Sequence, residues 1–496
     1  MDVKIKVGSL KEAKGEALVA GVFEGSKKFG RDLSSLDKTL GGAITEAVDC
    51  GGFKGKLNQT YLIPAKGKVP AARILLVGLG KEKEFTTDRL RQASGKSAAY
   101  LSGLGLASFA TTLHLELKPL QKASQAVMEG AVLGLYSFEK YKTEKKDNGK
   151  SDTTDITLMV NSKKEVAEVS KGAFTGKVLA EAANFAKDMV NEPANHMTPS
   201  IMAETAKLLA ESFGFKCQVL DRDEMGRLGM GSLLGVAQGS NEPPRFIILE
   251  YNGNKKEKPV VLVGKAITFD TGGISIKPAD KMELMKSDMA GGAAVMGAFM
   301  AMAGLKLPVN VVGLIPATEN MPSGTACKPG DILKASNGKT IEIISTDAEG
   351  RLILADALVY AKRYEPKAVI DIATLTGACV VALGRHASGM LGTDEKLMTK
   401  IKEAGERSSE RVWQLPLWEE YEELLKSDIA DVKNSGAREA GTIAGGIFLK
   451  KFVDYPWAHI DIAGTGWDSK EGPYRPKGAT GVGVRMLTEF LREWKG

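Results

Sequence analysis

Cysteine and histidine are both scarce in this 496-residue sequence, which contains only four of each. No CxxC pair occurs, so a thiolate zinc site is not expected. Widely separated thiols favour a reducing compartment, and we expect a cytoplasmic protein with free, buried cysteines. These residues are Cys50, Cys217, Cys327 and Cys379.

Long hydrophobic runs are also missing. The longest apolar stretch extends from Met289 to Leu305, which is shorter than the ~20 residues of a membrane span. It also contains several glycines. This stretch predicts a buried helix in a protein with no membrane partner. The first residues contain no apolar segment followed by a small-residue cleavage site, so no secretory signal is expected.

The charge excess is small, since 67 Lys and Arg oppose 61 Asp and Glu. A net charge of +6 on a chain of this size does not by itself indicate a nucleic-acid or anionic-membrane partner. Hydrophobic residues at 43% and charged residues at 26% are ordinary values, which exclude disordered and collagen-like proteins. The length predicts two or three domains.

Strand and helix patterns divide the chain into three parts. Residues 1–163 predict an N-terminal α/β domain with a strand at 71–80, helices near 85–103 and 120–136, a polar loop at 143–155 and a strand at 156–160. Residues 164–190 predict a connecting helix, which the prolines of 191–199 end. From 191 to 496, short β-branched runs alternate with helices. This alternation predicts an α/β fold with a mostly parallel sheet covered on both faces.

Four carboxylates occupy positions that favour metal binding. We expect Asp270 in a loop after a strand that ends near Lys265, and Asp288 just before the buried helix. We expect Asp347 and Glu349 after a strand that ends near Ser345, on extended chain where their side chains point the same way. Ligands bind at the carboxyl ends of strands in such sheets, and crowded carboxylates require protons or cations. The set can hold two divalent metals that activate water.

Other catalytic patterns are weaker. There is no HExxH motif, and Ser388 near His386 lacks a GxSxG elbow. The glycine-containing segments 78–83 and 103–108 match neither the Walker nor the dinucleotide-binding spacing. Taken singly, each acidic residue is more simply interpreted as a surface charge. The histidines, which we interpret as structural or surface residues, are His114, His196, His386 and His459.

The segments around these carboxylates resemble the leucyl aminopeptidase family, also called cytosol aminopeptidases or the M17 metallopeptidases. The family signature NTDAEGRL appears here as STDAEGRL at 345–352, and GKAITFDTGGISIKP (264–278) and MKSDMAGGA (285–293) are similarly close. NEPAN (191–195), SDIADVKN (427–434), HIDIAGTGW (459–467) and ATGVGVR (479–485) also fit. The motifs cover about 165 to the end, whereas the N-terminal third is similar only in length and α/β character.

The resemblance implies a pair of divalent metals, Mn or Zn. Asp270 and Glu349 would contact both metals, Asp347 would hold one, and Lys265 and Asp288 would hold the other. An ammonium has no free lone pair, so Lys265 must be neutral to act as a ligand, and two nearby dications would lower its pKa.

The resemblance also implies catalytic and substrate-binding groups. Lys277 would support the scissile carbonyl oxygen, and Arg351 would hold an anion such as bicarbonate that relays a proton. The pocket for the substrate side chain would be lined by Thr374, Leu375 and Gly377, together with Met285, for which a role in the core is an equal alternative. The expected activity is removal of leucine and other apolar N-terminal residues from peptides with a free α-amine, by a metal-bridging hydroxide.

The expected assembly is a homohexamer, with a C-terminal catalytic domain and an N-terminal domain similar to a macro-type α/β unit. Two alternatives stay open. Another two-metal hydrolase, such as a phosphoesterase, would share the carboxylates. A non-enzymatic DNA-binding scaffold is less favoured by the small charge excess.

Overall fold

The computed structural model describes residues 1–144, 155–254, 257–436 and 438–495, so most of the predicted loop at 143–155 lies outside the described residues. The chain forms two compact units. Unit 1 contains Met1–Glu181 and the short segment Lys470–Lys477, and unit 2 contains Ala182–Ser469 and Gly478–Gly496. The division falls inside one long helix, α5 (Val166–Asn191). The predicted bounds at 163 and 190 stay predictions.

Unit 1 contains a six-stranded sheet in the order β1-β6-β5-β2-β4-β3, in which only the β3–β4 pairing is antiparallel. Strand β4 has the sequence RILLVGLG and is almost wholly buried, as expected for a parallel strand covered on both faces. The strands are β1 (Asp2–Val7), β2 (Ala17–Phe23), β3 (Thr60–Pro64), β4 (Arg73–Gly80), β5 (Ser108–Thr111) and β6 (Asp155–Val160). The helices are α1 (Arg31–Leu40), α2 (Ala43–Asp49), α3 (Thr87–Gly103) and α4 (Leu120–Gly134).

Unit 2 is built on a nine-stranded mixed sheet in the order β16-β15-β18-β14-β9-β11-β8-β7, with β10 added beside β11. The central neighbours β18, β14, β9, β11 and β10 run parallel, whereas β15–β18, β11–β8 and β8–β7 are antiparallel. The predicted α/β class with a mostly parallel sheet is confirmed. The strands are β7 (Lys216–Leu220), β8 (Arg245–Asn252), β9 (Val260–Gly264), β10 (Ala266–Asp270), β11 (Asn310–Asn320), β14 (Ala368–Ala373), β15 (Ser388–Gly392), β16 (Val412–Gln414) and β18 (Trp457–Asp461).

Helices cover the sheet of unit 2. Helix α9 (Ala290–Gly304) is apolar all round and buried, and it contacts β9, β14 and helix α14 (Val484–Arg492). The prediction of a buried helix after Met289 is therefore confirmed. Helix α10 shares a core cluster with Val261 and Val263 of β9. No helix among the described residues is both long and apolar enough to cross a membrane. The helices of unit 2 are α6 (Pro199–Phe213), α7 (Arg222–Arg227), α8 (Gly231–Val236), α9 (Ala290–Gly304), α10 (Gly350–Ala361), α11 (Gly377–Leu383), α12 (Glu395–Ser408), α13 (Gly441–Lys450) and α14 (Val484–Arg492).

Two expected strand ends are different in the structure. The predicted strand at 340–345 is only β13 (Thr340–Glu342), and it belongs to a separate small sheet with β12 (Ile332–Lys334) and β17 (Val432–Lys433). Conversely, Asp270 is not in a loop, because it is the last residue of β10. A second small sheet pairs β19 (Trp467–Asp468) with β20 (Gly478–Ala479). The predicted acidic residues therefore do not all follow strands of one sheet.

Candidate functional site

The site forms at the carboxyl ends of parallel strands in unit 2. Lys265 directly follows β9, Asp270 ends β10, and Thr374 directly follows β14. Strand β9 pairs in parallel with both β14 and β11, and β10 pairs in parallel with β11, so these chain ends meet at one edge of the sheet. This edge is where open α/β sheets bind ligands.

Asp347 and Glu349 lie at the same edge of the sheet, but their backbone conformation differs from the predicted one. Asp347 lies in a turn, and Glu349 has helical backbone angles (φ −77°, ψ −34°) as the residue that caps α10. The expectation of extended chain was wrong, because β13 ends early and the chain turns directly into the helix. Asp270, Asp347 and Glu349 nevertheless each bring one carboxylate oxygen within 4.8 Å of the others.

Two lysines each form ion pairs with two of the carboxylates. Lys265 Nζ lies 2.8 Å from Asp288 Oδ2 and 2.8 Å from Glu349 Oε1. Lys277 Nζ lies 2.8 Å from Asp270 Oδ2 and also contacts Asp347. The four predicted carboxylates and the two lysines implied by the resemblance are therefore brought together, and their formal charges are four negative and two positive.

The pKa values in the cluster are shifted because its side chains are buried and its carboxylates outnumber its lysines. Burial raises the pKa of Glu349 and raises that of Asp288 well above its usual value. Burial alone would lower the pKa of Lys265, but the adjacent carboxylates outweigh burial and raise it. Without cations Lys265 is therefore an ammonium, and it can become a ligand only if bound metals displace its proton.

The donor set suits divalent cations. Carboxylate oxygens are preferred by hard and borderline ions such as Mg, Mn and Zn. Among the described residues, Glu349 Oε2 is buried and has no hydrogen-bond partner. A buried carboxylate oxygen without a donor is costly, and a coordinated cation would satisfy it. The residues present therefore fit a metal centre.

Close backbone approach explains two glycines in the motifs. A Cβ at Gly350 would lie 2.5 Å from Lys265 Nζ, so any side chain there would displace the lysine. Gly272 has a positive φ of +87°, and a Cβ there would lie 2.9 Å from Asp347 Oδ1. These glycines let the lysine and the carboxylates come together.

Two buried amides outside the predicted set, Asn320 and Asn434, support the centre. Asn320 Nδ2 donates to Asp270 Oδ1 at 2.8 Å and to the carbonyl oxygen of Thr346 at 3.0 Å. Asn434 hydrogen-bonds with the backbone of Ile344 and Ser345. The position of Asn320 at the carboxyl end of β11 is a signal that could have identified it.

Arg351 is buried at the start of α10. Its Nη1 donates to the carbonyl oxygen of Asn434 at 2.9 Å, whereas its Nε has no hydrogen-bond partner among the described residues. Burial lowers the pKa of Arg351 to about 10, so the group stays positive at neutral pH. A Cβ at Gly445 would lie 3.1 Å from Leu375 Cδ2 and 3.7 Å from Arg351 Nη2, so Leu375 and Arg351 approach the same point.

The predicted pocket residues differ in their surroundings. Thr374 belongs to the charged cluster, because its Oγ1 donates to Asp288 Oδ1 at 2.7 Å and its carbonyl accepts from Lys265 Nζ at 3.0 Å. Leu375 is half-buried, and its backbone N–H donates to Asp461 Oδ1 at 3.1 Å. Gly377 is exposed at the start of α11, and Met285 is half-buried in the helical turn before Asp288.

The histidines and cysteines considered in the sequence lie outside the charged cluster. His459 is fully buried with Nδ1 against Asp371, and His386 is exposed, so both fit structural or surface roles. All four cysteines are free, but Cys50 is exposed, so the expectation that all are buried was wrong. Cys50 is the residue that directly follows α2, at the surface of unit 1.

Comparisons with known proteins extend this picture. The catalytic-domain model of the cytosol aminopeptidase family matches residues 184–488, and the N-terminal-domain model of the same family matches residues 19–145. The N-terminal third therefore resembles the family more specifically than its length and α/β character indicated.

Relatives of similar length carry the same description. A probable cytosol aminopeptidase of Geotalea uraniireducens is 52% identical over 94% of each chain, and one of Methylobacillus flagellatus is 45% identical over 100% of each. Among solved structures, the bottromycin maturation enzyme BotP is 35% identical with a TM-score of 0.84, covering 96% of this chain and 99% of that one. A BotP complex with Mn gives a TM-score of 0.85 at 34% identity, with the same coverage of both chains. The chain therefore belongs to the cytosol aminopeptidase family, a family of metallo-exopeptidases.

Proposed function

We propose that this protein is a dinuclear-metal aminopeptidase that removes leucine and other apolar residues from the N-termini of peptides. The observation that carries the proposal is the convergence of Asp270, Asp347 and Glu349 within 4.8 Å, beside two lysines. Family membership supports a metallo-aminopeptidase, and the related enzyme BotP has been solved in complex with Mn.

The proposed ligands follow from the contacts. Asp270 and Glu349 would contact both cations. Asp347 would complete one position, and Lys265 with Asp288 would complete the other. The cations would be Mn or Zn, and when bound they would lower the pKa of water and polarise a carbonyl group.

Lys277 is proposed to act on the substrate. In the structure its ammonium is held by Asp270 and Asp347 with 22% of its side chain exposed. With these two carboxylates neutralised, the Lys277 ammonium would be free to turn towards the scissile carbonyl oxygen. A fixed positive charge there stabilises the negative charge that develops in the transition state.

Arg351 is proposed to hold a small anion such as bicarbonate, which would accept and return the proton during the reaction. Its buried Nε is a donor without a partner among the described residues, which supports a second hydrogen-bonding group at this place. The guanidinium cannot act as the base itself, because it does not lose its proton at neutral pH.

Substrate selection is proposed to involve Thr374, Leu375, Gly377 and Met285. Thr374 contacts Asp288 directly, so the pocket would begin beside the metals, and the half-buried Leu375 and Met285 would favour apolar side chains.

We further propose a cytoplasmic homohexamer. The exposed apolar side chains of Val381, Trp413 and Trp418 support an interface in unit 2.

The test compares leucine p-nitroanilide with its N-acetyl form, in protein first stripped of metal and then supplied with Mn²⁺ or Zn²⁺. We expect Mn²⁺- or Zn²⁺-dependent release of p-nitroaniline from the free amine only. Equal rates on both substrates would contradict an aminopeptidase, and full activity in the metal-free protein would contradict the metal centre. Light scattering on the same sample tests the hexamer.

A further inference from the structure

Asn434 is a fully buried polar residue that lies directly after β17. Its hydrogen bonds join it to the chain that leads to Asp347 and Glu349 and to the guanidinium of Arg351. The free-energy cost of burying an amide is offset only when its donors and acceptors are hydrogen-bonded, so the partners of Asn434 indicate what holds it in place.

The side chain of Asn434 fixes the segment before the ligand turn. Its Oδ1 accepts from the backbone N–H of Ile344 at 2.8 Å and of Ser345 at 3.3 Å. Its Nδ2 donates to the carbonyl oxygen of Ser345 at 2.6 Å. This pairing needs an acceptor and a donor on one short side chain, which asparagine provides and aspartate does not.

The backbone of Asn434 fixes the guanidinium. Its carbonyl oxygen accepts from Arg351 Nη1 at 2.9 Å, and its N–H donates to the carbonyl oxygen of Glu342 at 2.9 Å. The second bond continues the β13–β17 pairing, so the small sheet holds this carbonyl in place. One residue therefore hydrogen-bonds both with the chain that leads into the ligand turn and with the Arg351 guanidinium.

We propose that Asn434 is a positioning residue, which holds the Asp347–Glu349 turn and the Arg351 guanidinium in one arrangement. The inference rests on the proposed function. In Asn434→Asp the size of the side chain is kept, but an oxygen replaces Nδ2 opposite the carbonyl of Ser345. The hydrogen bond becomes a repulsion between two oxygens, so the turn and the guanidinium move relative to each other.

Asn310→Asp is the matched control. Asn310 Oδ1 accepts from the N–H of Asn254 at 2.9 Å, and its Nδ2 donates to the carbonyl oxygen of Glu257 at 2.6 Å. It therefore also loses a donor to a backbone carbonyl when changed to aspartate. It lies at the start of β11, whereas Asn320 of the site ends that strand, about 30 Å away along an extended chain.

The experiment measures kcat and KM on leucine p-nitroanilide, Mn²⁺ affinity by calorimetry, and melting temperature. We expect Asn434→Asp to lower kcat and weaken Mn²⁺ binding by about 10- to 100-fold each, with KM changed less than about threefold. Asn310→Asp is expected to lower only the melting temperature. Should the aspartate variant not fold, Asn434→Ala removes the amide without adding a charge, and the same comparison applies.

Two outcomes overturn the proposal. One is a folded Asn434 variant with wild-type kcat and wild-type Mn²⁺ affinity. The other is an equal loss of kcat and Mn²⁺ affinity in Asn310→Asp, which would show a general structural effect. If the wild-type protein does not cleave the leucine substrate, the proposed function fails, and the Mn²⁺ affinities of the two variants still decide the role of Asn434.

Discussion

Replacing Glu349 by glutamine separates metal binding from folding. Glu349 is buried, its Oε1 lies 2.8 Å from Lys265 Nζ, and its Oε2 has no hydrogen-bond partner among the described residues. Glutamine keeps the shape and one acceptor oxygen, so Lys265 keeps its contacts with Asp288 and with the carbonyl of Thr374. The metal-free cluster also loses one of its excess negative charges. We therefore expect the metal-free melting temperatures to differ by less than about 2 °C, since 1 kcal/mol corresponds to about 1.5 °C in a unit of roughly 300 residues.

The response to metal is expected to differ much more. A cation that binds only the folded state stabilises it by about 2.7 kcal/mol at 100 times its dissociation constant. For the wild-type protein this corresponds to an increase of roughly 4 °C in melting temperature. Glu349→Gln removes a ligand proposed to be shared by both cations, so most of this increase and the activity should disappear together.

The assay is a thermal melt with and without Mn²⁺, accompanied by metal analysis of the purified protein. Glu365→Gln is the control, because Glu365 is an exposed glutamate in the same unit that forms a surface ion pair with Lys258. A Glu349→Gln protein with a full metal complement and the wild-type increase in melting temperature would refute the ligand assignment.

Three further predictions test separate parts of the site and the fold. Lys277→Ala should lower kcat by about 100-fold or more while the protein keeps its metals, measured by steady-state kinetics and metal analysis; loss of the metals would show a structural role instead. Gly350→Ala should abolish activity because the new Cβ would lie 2.5 Å from Lys265 Nζ, whereas Gly324→Ala, where a Cβ meets nothing within 4 Å, should leave activity unchanged. In unit 1, burial opposes ionisation of Asp88, but a guanidinium and two hydrogen-bond donors outweigh it and hold the pKa at about 2. Because the folded-state pKa is lowered, the stabilisation is present above pH 4 and is lost as the pH falls towards 2. Urea unfolding should therefore show Asp88→Asn less stable by about 2 kcal/mol at pH 7, with a difference that shrinks below pH 4; a difference independent of pH would contradict this.

The sequence pattern predicted the four carboxylates of the charged cluster, and the family resemblance implied its two lysines, but neither predicted the backbone that presents them. Asp270 could be assigned to the sheet edge because buried β-branched runs mark strands and ligands bind at strand ends in an open sheet, although it ends a strand rather than lying in a loop. The apolar residues before Asp347 and Glu349 resemble a strand and therefore predict extended chain for both. That strand is short, and the capping of α10 determines their backbone instead.

Local patterns could not predict which groups the supporting amides contact, although the strand-end position of Asn320 marks it as a candidate. Asn434 is 83 positions from Arg351 in sequence, and Asn320 is 50 positions from Asp270, so their contacts depend on tertiary structure. Hydrophobic periodicity reports which face of an element is buried but not which buried amide meets a distant turn. The assignment of Lys470–Lys477 to unit 1 is similarly a tertiary effect, since Tyr474 donates to Asp88 of that unit.

The central claim, that these acidic side chains surround a pair of cations, is tested most directly by anomalous diffraction from crystals grown with Mn²⁺. We expect two peaks about 3.5–4 Å apart, with Asp270 and Glu349 between them, Lys265 and Asp288 beside one, and Asp347 beside the other. Binding of Mn²⁺ only at other residues, or a single peak at this cluster, would contradict the account.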